Sequence, residues 1–141
     1  MERIKLSTNL YLDEYIPKEL YLKHHDDIQF LMSLIHEDVI VTDQLLRDKF
    51  GAVTINNWWS GGERNYSGFR PDDCPIGAKH SDHKKGMASD KLFAKATPDE
   101  VRTYIKENWK TLGISRIEAN VNWVHTSVAY TGLNKLEIFN P

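Results

Sequence analysis

One imidazole and one carboxylate, His83 and Asp90, stand seven positions apart within the stretch Lys79 to Asp90. Together they suit a zinc ion that still needs a third protein ligand. The small residues between and around them, Gly86 and Ala88, suit close backbone packing at a site. A second stretch, Asn122-Trp123-Val124-His125, could supply the third ligand. Considered alone, a histidine on a strand is more often packed and hydrogen-bonded than a ligand, and His/Asp pairs at a given spacing are common. His80 could flank such a pocket or sit in solvent. Ser81 could hydrogen-bond the free atom of a ligand or simply shape the turn.

The elements that must position these residues can be read from periodicity. If Met87 to Phe93 is a strand, Ala88 and Asp90 share one face and Met87, Ser89 and Lys91 the other. Val121 to Ala129 reads as a strand that places Val121, Trp123, His125 and Ser127 on one face. Ile114 to Glu118 and Lys135 to Phe139 read as further strands, with a turn at Asn120. Ala52 to Trp58 alternates like a half-buried strand and is rich in β-branched residues. Between Trp59 and Ala78 glycines and prolines gather into a long loop, the kind that is uncommon unless functional. It contains Ser67-Gly68-Phe69-Arg70, whose arginine could bind a carboxylate or pair internally with Asp72 or Asp73.

Three helices are expected. The first spans Asp26 to Ile35, capped by Asp26 or Asp27, with an inward stripe of Ile28, Leu31, Met32 and Ile35. The second runs from Thr42 or Asp43, as cap, to Phe50, with Leu45, Leu46 and Phe50 inward and Gly51 as the stop. The third opens at Thr97-Pro98-Asp99-Glu100, a capping-box pattern, and buries Val101, Tyr104, Ile105 and Trp109. His24, His25 and His36 read as exposed or capping residues. Residues 1–20 form an arm in which Tyr11, Leu12 and Tyr15 pack on the edge of the core.

The bulk properties narrow the function classes. The chain has 141 residues, which suits a single domain over 1–141. Its net charge is −2 with the signs interspersed, so there is no electrostatic case for nucleic acid or an acidic membrane. Cys74 is alone, which excludes an intrachain disulfide. No apolar run approaches a membrane span and no signal peptide is visible. Nothing in the sequence indicates an oligomeric state.

S-x-H-x-x-G-x-A-x-D, filled by Ser81, His83, Gly86, Ala88 and Asp90, follows an S-G-F-R and precedes a W-V-H. In this combination the chain resembles the zinc D-Ala-D-Ala carboxypeptidase and L-alanyl-D-glutamate endopeptidase superfamily, which shares its fold with the hedgehog signalling domain. It looks closest to short single-domain phage and bacterial members, and the resemblance covers most of the chain. It implies an α+β fold, with helices packed against a small, mainly antiparallel sheet that carries a zinc cleft. It further implies Zn2+ held by His83, Asp90 and His125, with Arg70 near a substrate carbonyl or carboxylate. The activity implied is hydrolysis of peptidoglycan stem peptides. Such a protein is made in the cytoplasm and acts on the cell wall after release or as a phage component.

The sequence departs from that pattern where a general base is needed. Relatives carry an acid three residues before the last histidine ligand; here that position is Asn122, and Ser127 replaces a common aspartate two residues after it. Glu118 is the first candidate to replace the base, and Asp82 the second. The loss of the usual acid keeps open a zinc module that binds cell wall, or a phage structural protein, without catalysis. Trp58, Trp59 and Trp123 could enter a cleft, although core packing is the default for tryptophan.

Overall fold

A computed structural model describes residues 2–141. The chain forms α1 (Lys18–Lys23), α2 (Ile28–Ser33), α3 (Glu37–Phe50), β1 (Val53–Thr54), β2 (Ala88–Phe93), α4 (Pro98–Leu112), β3 (Arg116–Glu118), β4 (Val124–Ser127) and β5 (Glu137–Phe139). The five strands make one sheet in the order β1-β2-β4-β3-β5. Three of its four pairings are antiparallel, and β5 joins β3 in parallel. The architecture is α+β.

Period-two alternation divides the sheet into two faces. Phe93, Ile117 and Val124 lie on one, packed with Leu46 of α3 and with Val101, Ile105 and Leu112 of α4. Ser89 and Lys91 point to this same helical side, where both meet Asp43 of α3. Lys91 Nζ stands 3.1 Å from Asp43 Oδ1, close enough for an ion pair although off the hydrogen-bond direction. It donates to Thr126 Oγ1 at 2.7 Å, and Asp43 Oδ2 accepts from Tyr15 and Ser89. Asp43 and Lys91 are fully buried.

Several expected boundaries move. α3 begins five residues or more before the expected cap, at Glu37, and His36 caps it by accepting from the Asp38 amide. Thr42 and Asp43 are therefore interior helical residues. Their polar atoms are used across the core, Thr42 Oγ1 donating to the Leu112 carbonyl. Leu45 and Met32, expected to face inward, are exposed. α2 is capped by Asp27 as expected but covers only Ile28–Ser33, and α1, hidden between Pro17 and the histidine pair, was not legible from apolar spacing. β1 keeps two residues of the expected strand, because Trp58–Ser60 turns into a 3-10 helix. β4 starts at Val124, and Val121 to Trp123 are bends. α4 opens as expected, with Thr97 and Glu100 forming the capping box, and Gly113 stops it at φ 76°. The arm is core rather than edge, since Leu10, Leu12, Tyr15 and Ile16 are completely buried.

Two stability predictions follow from buried charge. Asp43→Asn leaves the Lys91 ammonium unpaired in the core and is expected to cost about 3–5 kcal/mol in urea denaturation. Glu14 behaves differently. Burial pushes its carboxyl from 4.5 up to about 7, only partly opposed by the Tyr11 backbone N–H. The unfolded chain releases this proton near 4.5 and the folded chain near 7, so stability falls between those values and is level above them. Glu14→Gln keeps an acceptor for Tyr11, so it is expected to match wild type near pH 4. Near pH 8 it should exceed wild type by about 1–2 kcal/mol, allowing for solvent screening.

Candidate metal centre

The sheet face away from α3 and α4 is the floor of a cavity of about 610 Å³. Four strands contribute alternate residues to it: Asp90 from β2, His125 from β4, Arg116 and Glu118 from β3, and Glu137 and Phe139 from β5. Register sets their order. Asp90 is paired directly with His125, and Arg116 with both Ser127 and Glu137. Continuing the β3–β4 register places Glu118 beside His125, one strand further along, with Phe139 next to it.

His83 reaches the floor from outside the sheet. It sits in the 3-10 turn Asp82–Lys85, which Ser81 caps by accepting from the His83 amide and Gly86 ends at φ 68°. Ser81 therefore shapes the turn. A Cβ on Gly86 would collide with the Leu34 carbonyl, so both the left-handed φ and the close packing require glycine here. This places His83 Nε2 3.2 Å from Asp90 Oδ1 and 3.2 Å from His125 Nδ1; His125 Nδ1 is 2.9 Å from Asp90 Oδ1. The two imidazoles are buried and the Asp90 side chain is 13% exposed.

The outer nitrogens are already occupied. His83 Nδ1 lies 2.9 Å from the Gly68 carbonyl, which can only accept, so the neutral ring carries its proton on Nδ1 and leaves Nε2 bare. His125 Nε2 lies 2.8 Å from Ser127 Oγ; with the hydroxyl accepting, Nδ1 is bare. Two lone pairs and a carboxylate oxygen then converge on one point. Such a trio repels itself unless a proton or a cation stands between them, and outer hydrogen bonds of this kind are what orient metal-binding imidazoles. His83, Asp90 and His125 could hold a metal ion.

Without a cation, a proton must fill that point. Burial alone would raise the Asp90 carboxyl, but hydrogen bonds from protonated inner nitrogens of His125 and His83 and their charges outweigh it and hold it well below the usual carboxylate range. Burial lowers His125, which favours the neutral ring that ligation needs, although Asp90 opposes the effect.

The S-G-F-R segment acts mainly through its backbone. Ser67 O accepts from the Asp90 amide at 2.7 Å, Gly68 O faces His83, and the Arg70 amide donates to His83 O at 3.1 Å. A Cβ on Gly68 would lie 2.5 Å from the Tyr15 carbonyl, so the segment can approach only as glycine. The Arg70 guanidinium lines the cavity, but its bonds go to Asp90 Oδ2 at 3.1 Å and Tyr66 O at 2.8 Å. Its internal carboxylate is Asp90, not Asp72 or Asp73, which are exposed.

Asn122, which stands where the usual acid is expected, is exposed and does not line the cavity. Asp82 lines it but is ion-paired to Arg116 at 2.9 Å. Glu118 lines it, and its side chain makes no hydrogen bond or ion pair among the described residues. Burial raises its carboxyl, while the charge of His125 lowers it and that of Asp90 raises it. Asn120, at φ 61°, makes the turn that returns the chain from Glu118 to His125. Of the tryptophans considered for a cleft, Trp123 lines it; Trp58 is core, bonded to Ile16 O. Arg116, Glu137 and Phe139 went unnoticed in the sequence. Alternation within their short strands was the available signal, but it does not say which strands are neighbours.

No protein-family model, curated protein or solved structure matches the chain. No helix among the described residues is long and apolar enough to cross a membrane.

A divalent ion bound only by the folded protein is expected to raise its stability by about 2.7 kcal/mol at a hundredfold excess over Kd, read as a chelator-reversible rise in melting temperature. His83→Ala should abolish the rise. Arg70→Lys, which cannot bridge Asp90 and Tyr66 in the same way, should weaken metal affinity by roughly 10–100-fold in a competition titration.

Proposed function

We propose that the protein is a zinc peptidase that cuts peptidoglycan stem peptides, with Glu118 as its proton-transfer group. The observation that carries this reading is the three-atom convergence on the cavity floor. Zinc bonds of roughly 2.0–2.1 Å at tetrahedral angles hold neighbouring donors about 3.3 Å apart. The inner atoms of His83, Asp90 and His125 are separated by 2.9–3.2 Å. Three protein ligands on the floor of an open cavity suit a catalytic site better than a structural one, which usually has four. The substrate class and the hedgehog-like fold rest on the resemblance carried by S-x-H-x-x-G-x-A-x-D, S-G-F-R and W-V-H.

When bound, zinc would supply Lewis acidity toward a peptide carbonyl and lower the pKa of water to about 7. The protein's own contribution is positional. Arg70 holds the outer oxygen of Asp90, Gly68 and Ser127 hold the outer nitrogens of the histidines, and a peptide would lie across β3 and β5 against Phe139. Glu118, adjacent to His125 and free of partners, would take the proton of the attacking water and return it to the leaving amine. Burial raises its carboxyl, the direction that proton return to a leaving group requires. The alternative of a zinc module without catalysis draws on Asn122. That residue lies off the cavity, and Glu118 lies in it, which favours the catalytic reading.

Zinc-loaded protein is expected to release amines from purified cell walls of at least one chemotype. Glu118→Gln should lower the rate by about 10²–10⁴-fold while keeping its zinc, and Asn122→Asp should leave the rate unchanged. Absence of cleavage across several chemotypes by protein shown to contain zinc would refute the peptidase.

A further inference from the structure

Four acids line the cavity, and three are engaged. Asp90 is held by His83, His125 and Arg70; Asp82 and Glu137 share Arg116, at 2.9 and 2.8 Å. Glu118 is the one that makes no hydrogen bond or ion pair among the described residues. The same wall carries one donor in the same condition. The Trp123 indole Nε1 is buried and makes no hydrogen bond. An unsatisfied buried N–H costs about 1–3 kcal/mol, so its partner is the first thing to look for. Its burial also keeps solvent and ligand away from it, which points to a partner within the protein. Trp123 and Glu118 bound the same bend, residues 119–122, and line the same cavity, and the indole stands outside hydrogen-bond geometry with the carboxylate.

The tryptophan is well fixed. Arg102 of α4, itself buried and paired to Asp99, donates to the Trp123 carbonyl at 2.9 Å. At the other end of the bend, the Ala119 amide is tied to Phe139 O at 2.8 Å. No such tie holds the Glu118 side chain among the described residues, so the carboxylate is the member of the pair that would turn to meet the indole.

We propose that the Trp123 indole N–H donates a hydrogen bond to the Glu118 carboxylate and so positions the proton-transfer group over the cavity floor. Trp123 is thus a positioning residue. Its role in catalysis rests on the reading of Glu118 given above, whereas the contact itself does not.

The contact can be tested without activity. In proton–nitrogen correlation spectra of the full chain near pH 8, one indole signal should vanish in Trp123→Phe and move upfield in Glu118→Gln, which removes the charged acceptor. Triple-resonance assignment identifies the signal should Trp123→Phe fail to fold. A Trp123 signal that ignores Glu118→Gln overturns the proposal. Kinetics of cell-wall hydrolysis test the role. Trp123→Phe should lower kcat about tenfold with KM and zinc content unchanged. The double variant should be no slower than Glu118→Gln alone, as for residues acting as a unit; losses that multiply would mean a packing role and overturn it. A wild type that cleaves nothing would remove the peptidase reading, and the indole signal would still decide the contact.

Discussion

The register of β2 against β4 is the constraint on which the rest depends. Asp90 faces His125 across one antiparallel pair, and both side chains emerge on the same face. A slip of one residue would turn Asp90 toward the helices and bring Lys91 into the cavity. The opposite face resists that slip. Lys91 is buried against Asp43 and Thr126, and Ser89 donates to Asp43. Ammonium and carboxylate cannot be exchanged for the acceptors on the other face without stranding a charge in the core. The buried pair therefore contributes specificity of pairing more than net stability.

Around this pair the structure builds its supporting shell largely from backbone. Carbonyls and amides of Ser67, Gly68 and Arg70 hold Asp90 and His83, so the long loop before the central motif is bound to the site. Backbone groups are fixed by the path of the chain rather than by a rotamer, which suits an arrangement where three acceptors must be held together against their own repulsion. Arg70, on the same loop, offsets the Asp90 charge while leaving its inner oxygen free. On the β4 side Ser127 does for His125 what Gly68 does for His83. That gives a use to the Ser127 hydroxyl, at the position where the sequence motif led to the expectation of an aspartate.

Charge in the cavity is arranged in order across the strands. The convergent acceptors come from β2, β4 and the His83 turn, Glu118 from β3, and the Asp82–Arg116–Glu137 relay and Phe139 lie toward β5. The relay neutralises its own arginine, which leaves Glu118 as the acid of the wall without a hydrogen bond or ion pair among the described residues, and the Trp123 N–H as its buried donor without one. That directs attention to the acid rather than to Asn122.

Several features were settled by local sequence. α4 and its two caps follow from Thr97, Pro98, Glu100 and Gly113, because capping and periodicity act over one or two turns. The face of β2 follows from alternation, and the motif spacing singled out His83, Asp90 and His125 as a set that could meet. Tertiary structure decided the remainder. Thr42 and Asp43 look like helix caps by type, but their polar atoms are used by Leu112, Ser89 and Tyr15 from distant parts of the chain. Arg70 chose Asp90 over its two nearest acids for the same reason. Which short strands lie side by side, and so whether Glu118 stands next to His125, is set by pairings between segments that carry almost no local signal of one another. Composition and spacing encode a residue's chemistry and its face; its neighbours depend on contacts that exist only once the chain has closed.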